Sequence, residues 1–240
     1  MQISKRTNAR TTNPRAKMQV VRRSLDTLAA DKLREAIVSG GFEPGERLTE
    51  EDLAALVGLS RGTVRLALRQ LVHEGLVTQE PFKGYAVPSL SATDAAELYT
   101  LRNALEGFAA RLLAEHIDLK KAQTLDKAFS EVVSAVQQGD RRRAVACDFE
   151  LHMVIVRLTG HLRLETHYAL IAQQMKLYQK MVSQFLTLDD YVELHAPLIL
   201  AIKEGRSADA ERIASEHNTD DGEKLVTALT QQEESSRKTG

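Results

Sequence analysis

Residues 48–77 read LTEEDLAALVGLSRGTVRLALRQLVHEGLV, and this stretch decides the fold of the N-terminal region. Thr49 is a suitable N-cap for a short helix that Gly58 ends, and Ser60 caps a second helix that stops at Gly75. Two short helices joined by a turn that contains glycine form the helix-turn-helix pattern. The apolar contacts between the two helices are predicted to come from Leu53, Ala54, Val57, Leu59, Val64, Leu68 and Leu71.

The flanking residues extend this pattern to a winged helix over residues 24–88. A preceding helix is predicted from Ser24 to the Gly40-Gly41 pair, because apolar residues recur there at helical spacing. Two short strands joined by a tip that carries a cation are predicted to follow the second helix of the pair. The strands are Leu76–Thr78 and Tyr85–Val87, and the tip between them is Pro81–Gly84.

The remainder of the chain is predicted to be helical. Residues 91–230 lack a strand signal and are expected to form an antiparallel bundle of six helices. The six segments are Thr93–His116, Leu119–Gln138, Arg141–Leu158, Leu162–Leu186, Leu188–Glu204 and Ser207–Leu229. Residues 1–23 are predicted to be a flexible basic arm and residues 231–240 a disordered tail. The predicted fold class is therefore mainly α, with a small β wing.

Charge is unevenly distributed along the chain. Residues 1–90 carry 14 Lys and Arg against 10 Asp and Glu, and the remaining residues carry 18 against 23. A basic N-terminal region suggests a polyanionic partner, although a solvated tail is the alternative. The single cysteine, Cys147, precludes an intrachain disulfide, and the sequence predicts neither a signal peptide nor a bilayer-spanning segment. We therefore expect a cytoplasmic protein with no membrane partner.

The first turn of the second helix of the pair is the predicted DNA-reading element, because in a helix-turn-helix these residues enter the major groove. Arg61 and Arg65 are four residues apart and share a face, so both can reach guanine edges or phosphates. The candidate DNA contacts are Ser60, Arg61, Thr63, Arg65, Lys83 and Gly84. The alternative is an ordinary charged surface. Cations at the positive end of a helix are unfavourable without a nearby anion, which favours DNA contact.

Several segments of this region match one family in order and spacing. They are Leu48–Ala54, Gly58–Arg65, Ala67-Leu68 and Leu71–Val77. Together they resemble the winged-helix domain of GntR-type regulators, in which the positions of Arg61, Thr63 and Arg65 and the wing tip contact the operator. Some members have a DNA-contacting Arg where this chain has Glu51. The resemblance therefore implies heavier dependence on Arg61, Arg65 and the wing.

The helical region holds groups that are able to bind a metal. Asp148 and His152 are four residues apart on one helix face, and His195 and His217 lie in later helices. A carboxylate and imidazoles that converge inside a bundle suit a divalent transition metal. From spacing alone, histidines that are hydrogen-bonded within the core remain the alternative.

The same region resembles the FCD effector domain of the FadR-type branch of GntR regulators. The matching segments are Leu101–Glu106, Asp148–His152, Glu193–Ile202 and Glu216-His217. In metal-binding members of that family one Asp and three His hold a divalent ion. The resemblance thus implies Asp148, His152, His195 and His217 as ligands of zinc or nickel. Six predicted helices rather than seven resemble the VanR-type subgroup.

A bound ion would leave coordination positions for a small carboxylate, which an arginine could also pair with. Arg102 is the candidate, because the matching helix lines the pocket in the family. An ordinary ion pair with Glu106 is the alternative.

These observations favour a transcriptional regulator over an enzyme. The expected form is a homodimer that reads a pseudo-palindromic double-stranded DNA operator and responds to a small organic acid, with repression relieved by the ligand. A metal-dependent hydrolase with a DNA-binding appendage is one alternative, although no general base or nucleophile motif accompanies the ligand set. A ligand-independent architectural DNA binder is the other.

Overall fold

The structure is a computed structural model and describes residues 24–182, 185–217 and 219–239. The predicted basic arm, residues 1–23, lies outside the described residues. The N-terminal part contains α1 (Leu25–Val38), β1 (Arg47–Leu48), α2 (Glu50–Val57), α3 (Arg61–His73), β2 (Thr78–Glu80) and β3 (Gly84–Ala86). The predicted winged helix-turn-helix is confirmed.

Short-range chemistry sets the ends of α2 and α3. The Thr49 hydroxyl accepts a hydrogen bond from the Asp52 backbone nitrogen at 3.1 Å, and Ser60 accepts one from Thr63 at 3.2 Å. Gly58 ends α2 with a φ of +70°, a conformation that favours glycine. The two helices therefore begin and end where the sequence predicts.

The wing differs from its predicted form. The sheet has three strands in the order β1-β3-β2, and β1 was not predicted. The strand β2 begins only at Thr78, because Leu76 and Val77 are buried and both donate their backbone N–H to Leu71, at the end of α3. Leu76 and Val77, which the sequence predicts to be part of a strand, thus belong to the hydrophobic core of the winged helix at the C-terminal end of α3.

Eight helices follow in the described part of the chain, where six were predicted. They are α4 (Ala92–Glu115), α5 (Leu119–Gln137), α6 (Arg141–Leu158), α7 (Leu162–Val182), α8 (Asp190–Glu193), α9 (Ala196–Lys203), α10 (Ser207–His217) and α11 (Thr219–Thr239). The predicted segment Leu188–Glu204 is two helices, because Pro197 is suited to the first turn of a new helix. The segment Ser207–Leu229 is also two helices, which meet after His217.

The C-terminal tail is a further difference. Residues 231–240 were predicted to be disordered, but α11 continues to Thr239. Leu225 and Leu229 are buried and hold α11 against the bundle, and the Glu233 carboxylate accepts a hydrogen bond from the Ala92 backbone nitrogen at 2.9 Å. These contacts anchor α11, which therefore continues through the polar residues at the C-terminal end of the chain.

Helix α7 joins the two parts of the molecule. Leu177 packs against the hydrophobic core of the winged helix and against that of the helical bundle. Gln174 Nε2 donates to the Glu74 carbonyl oxygen at 3.0 Å. Farther along α7, the Tyr178 hydroxyl donates to Asp94 of α4 at 2.5 Å. One helix therefore runs from the interior of the bundle to the C-terminal end of α3. None of the helices described is long and apolar enough to cross a membrane.

Candidate metal centre and nucleic-acid interface

The four predicted metal ligands meet in the interior of the helical domain. Asp148 and His152 lie on one face of α6, His195 is the N-cap of α9, and His217 is the last residue of α10. The three imidazole ring centroids are 4.2 to 5.3 Å apart, and ligand nitrogens of the three rings lie within 4.8 Å of one another. Asp148 Oδ1 is 3.0 Å from His195 Nε2 and 3.8 Å from His152 Nε2.

Neighbouring acceptors orient two of the imidazoles. His152 Nδ1 lies 3.0 Å from Glu106 Oε2, and His195 Nδ1 lies 2.9 Å from the Tyr191 carbonyl oxygen. With its proton on Nδ1, each ring would present the Nε2 lone pair to the centre of the cluster. These two Nε2 atoms are only 3.1 Å apart. Two lone pairs and a carboxylate oxygen at such distances repel one another unless a proton or a metal ion lies between them.

Two buried polar atoms also point to a cation. Among the described residues, Asp148 Oδ1 and His217 Nδ1 are buried and have no hydrogen-bond partner. Buried polar atoms in folded proteins are nearly always hydrogen-bonded, so each exception requires an explanation. A metal that accepts electron pairs from both atoms supplies one. The donor set, one carboxylate and three imidazoles, fits a divalent transition metal.

The electrostatic surroundings favour the protonation states that bind a metal. Burial alone would raise the pKa of Asp148, but the positive charge that His195 and His152 carry when protonated outweighs it and lowers that pKa below its ordinary value. Burial, followed by the neighbouring His195 and His152, lowers the pKa of His217 well below its ordinary value. The site therefore contains an ionised carboxylate beside a neutral imidazole.

Arg102 forms the ion pair that the sequence left as an alternative. Its Nε is 2.6 Å from Glu106 Oε1, and both side chains are buried in α4. The same carboxylate oxygen accepts a hydrogen bond from the Tyr168 hydroxyl at 2.5 Å. Burial raises the pKa of Glu106, but Arg102 and then His152 hold it well below its ordinary value.

The roles of Glu106 and Tyr168 as neighbours of the predicted metal ligands do not follow from the sequence. The sequence indicates Glu106 only as a partner of Arg102, whereas in the structure it contacts His152 as well. The available signal was an acidic residue four positions after Arg102 in a helix that buries many apolar side chains.

A cavity of about 60 Å³ adjoins the cluster. Its lining includes the four predicted ligands, Arg102 and apolar side chains such as Met175. This volume has room for an ion and a very small group. A larger ligand requires displacement of lining side chains.

The predicted DNA contacts lie at the start of α3 and on the wing. Ser60 caps α3 and its hydroxyl lies 2.9 Å from that of Thr63. The side chains of Arg61 and Arg65 are 59% and 51% exposed. Lys83 lies in the hairpin turn, and Gly84 begins β3 with a φ of +87°.

Acidic residues accompany the arginines of this face, which the sequence analysis did not anticipate. Arg65 donates from Nε and Nη2 to the two carboxylate oxygens of Glu50, at 2.7 and 2.6 Å. Arg61 Nη2 lies 2.5 Å from Glu51 Oε2, and Lys83 Nζ lies 2.6 Å from Glu80 Oε2. The signal in the sequence was the acidic first turn of α2, and only the packing of α2 on α3 reveals its partners.

Comparisons with known proteins find matches for both parts of the chain. Residues 97–220 match the FCD domain, and residues 27–87 match the family described as bacterial regulatory proteins, gntR family. The "Probable D-xylose utilization operon transcriptional repressor" of Paenarthrobacter nicotinovorans is 30% identical over 195 residues, which cover 80% of this chain and 86% of the relative. The HTH-type transcriptional regulator YdhC of Bacillus subtilis is 35% identical over 109 residues, which cover 45% of this chain and 49% of that protein, about half its length.

A solved structure supports the fold. The structure of E. coli McbR/YncC has a TM-score of 0.69 at 20% identity, and the alignment covers 88% of this chain and 99% of that one. The VanR-type subgroup stays a prediction, and the helix count on which it depended is eight rather than six. The matched helix-turn-helix and FCD regions together show that the chain belongs to the GntR family of bacterial transcriptional regulators, which bind DNA.

Proposed function

We propose that the chain is a metal-dependent repressor that responds to a small carboxylate. In this proposal residues 24–88 bind DNA and residues 91–230 bind the effector and form a homodimer. The proposed contacts to a pseudo-palindromic operator are Ser60, Arg61, Thr63, Arg65, Lys83 and Gly84. The name of the P. nicotinovorans relative supports repression as the sense of regulation.

The observation that carries the metal proposal is the convergence of lone pairs on one point. Asp148, His152, His195 and His217 would hold a zinc or nickel ion, because their nitrogen and oxygen donors suit both metals. When bound, the ion supplies open coordination positions for a carboxylate. Glu106 and the Tyr191 carbonyl hold the two oriented imidazoles in place for it.

Arg102 is the proposed partner of the effector carboxylate. Its contact with Glu106 uses Nε, and a guanidinium has further N–H donors on its two terminal nitrogens. It is buried and lines the cavity beside the metal ligands, where its charge is little screened by water. The small cavity favours a compact mono- or dicarboxylate.

Helix α7 offers a route from the effector to the DNA-binding domain. Tyr168 contacts the carboxylate that orients His152, and Gln174 of the same helix contacts the end of α3. An effector that binds one position of α7 more tightly shifts the arrangement of the two winged helices in the dimer.

Metal content and ligand response test this proposal together. Purified wild type should retain about one equivalent of metal per chain. The double variant His195→Ala/His217→Ala should lose it, while His116→Ala, which alters an exposed histidine outside the cluster, should not. A thermal-shift panel of mono- and dicarboxylates should stabilise the zinc- or nickel-loaded wild type more than the metal-stripped protein. Full metal retention in the double variant contradicts the proposed site.

A further inference from the structure

The Glu51–Arg61 pair lies on the face that is proposed to meet DNA. Arg61 Nη2 is 2.5 Å from Glu51 Oε2, and the two side chains are 59% and 74% exposed. Glu51 occupies the first turn of α2, and Arg61 is the first residue of α3. An anion of the protein itself thus contacts a cation that is expected to contact DNA.

This pair differs from its neighbour, Glu50–Arg65. Glu50 is only 23% exposed and binds Arg65 through two hydrogen bonds, so it fixes the orientation of that guanidinium. Glu51 is far more exposed, and the ion pair uses the terminal nitrogen of Arg61. Exposed ion pairs of this kind contribute little to folding stability. The helix dipole favours an acid in the first turn of α2, but this gain does not depend on contact with Arg61, so it leaves the pairing itself unexplained.

We propose that Glu51 is a specificity-determining residue that suppresses binding of Arg61 to DNA of arbitrary sequence. This inference rests on the proposed reading of an operator by Arg61. Glu51 competes with DNA phosphates for the guanidinium, so Arg61 adds little to the affinity for a non-specific duplex. The acid lowers overall affinity and raises the ratio of specific to non-specific affinity.

The discrimination follows from the chemistry of the two DNA targets. On a phosphate, Arg61 exchanges one anion for another, and the carboxylate it leaves then faces the negative backbone. On a guanine edge, Arg61 meets the neutral acceptors O6 and N7. Arginine has five N–H donors, so Arg61 can donate to the base while Nη2 remains near Glu51. The charge of Glu51 therefore opposes the first complex more than the second.

Glu51→Gln tests the inference, with Glu35→Gln as the matched control. Glu35 is exposed on α1, so its substitution makes the same change in net charge. Full-length protein would first enrich duplexes from a random-sequence library. Affinities for an enriched duplex and for a scrambled duplex of equal composition would then be measured by fluorescence anisotropy at several salt concentrations.

The expected result is a several-fold gain in affinity of Glu51→Gln for the scrambled duplex, with a smaller gain for the enriched one. The plot of log affinity against log salt for the scrambled duplex should become steeper by about one, as for one added phosphate contact. In an Arg61→Ala background, Glu51→Gln should have no larger effect than Glu35→Gln. Equal effects of Glu51→Gln and Glu35→Gln, or an effect of Glu51→Gln that persists without Arg61, would overturn the inference.

The same experiment separates this inference from the proposed function. Failure of the wild type to enrich any duplex, or undiminished preference in Arg61→Ala, contradicts operator reading itself. An enriched duplex whose preference requires Arg61, combined with a silent Glu51→Gln, contradicts only the role given to Glu51.

Discussion

Gln174 of α7 donates a hydrogen bond from Nε2 to the main-chain carbonyl oxygen of Glu74, which is the C-cap of α3. The Glu74 carboxylate also accepts two hydrogen bonds of 2.7 Å from Arg34 of α1. Three helices therefore meet at one residue, and one of them, α7, also reaches the surroundings of the metal ligands through Tyr168. We propose this joint as the point where a change in the helical domain is passed to α3, the helix predicted to read DNA.

Gln174→Ala should weaken the joint. The substitution leaves the Glu74 carbonyl without this donor, so we expect the free energy of unfolding to fall by about 0.5–1.5 kcal/mol in chemical denaturation. We also expect zinc to change the DNA affinity of wild type, and this change should diminish in Gln174→Ala, as measured by anisotropy with and without zinc. Gln173→Ala on the same helix serves as the control. An undiminished zinc response in Gln174→Ala would exclude this joint as the route of coupling.

Gly75→Ala should lower the free energy of unfolding more than an alanine substitution at another glycine with a positive φ. Its φ is +72°, and an added Cβ would lie 2.3 Å from Gln174 Nε2. Gly58 has a φ of +70° with nothing within 4 Å of such a Cβ, so Gly58→Ala reports the backbone strain alone. That strain costs about 1–2 kcal/mol.

The excess cost of Gly75→Ala over Gly58→Ala should disappear in a Gln174→Ala background. This follows because the side chain that the new Cβ displaces is then absent. Urea denaturation of Gly75→Ala, Gly58→Ala, Gln174→Ala and the two double variants measures each difference, and an excess that survives removal of Gln174 would place the strain elsewhere.

In the buried Arg102–Glu106 pair, a single substitution should lower the free energy of unfolding more than the double substitution does. Glu106→Ala leaves a buried guanidinium without its carboxylate, and a loss of about 3–5 kcal/mol in the free energy of unfolding is expected. Arg102→Met/Glu106→Met replaces both charges with apolar groups and should recover part of that stability, because His152 Nδ1 and the Tyr168 hydroxyl still lack their acceptor. Additive losses in the double variant would contradict a coupled buried pair.

Glu106→Gln tests the other contact of this carboxylate. The amide no longer accepts as a charged partner of His152 Nδ1, so the orientation of that imidazole weakens. Loss of such outer partners lowers metal affinity about 10- to 100-fold. Competition for zinc with a chromophoric chelator measures the change, and unaltered affinity would show that Glu106 does not orient His152.

Local chemistry made the winged helix predictable. The hydroxyls of Thr49 and Ser60 and the left-handed Gly58 act within a few residues, so the sequence predicts the bounds of α2 and α3. The strand β1 depends on pairing between Leu48 and Tyr85, which no local pattern encodes. The burial of Leu76 and Val77 against α3 likewise required the tertiary structure.

The residues of the candidate site were predictable from the sequence, but the contacts between side chains on different helices were not. Resemblance supplied Asp148, His152, His195 and His217, and the structure places these side chains together. The contact of Glu106 with His152 and the ion pair of Glu51 with Arg61 join residues on different helices. Periodicity along one helix carries no information about such contacts.

The ligand set also links distant parts of the chain. His152 and His217 belong to α6 and α10, and the segment between them contains the whole of α7, α8 and α9. An ion held by both residues would close that segment into a loop and act as a non-covalent crosslink, which restricts the unfolded and partly opened chain. Occupancy of the site should therefore slow amide hydrogen exchange throughout the enclosed helices, because openings that separate α6 from α10 require release of the ion.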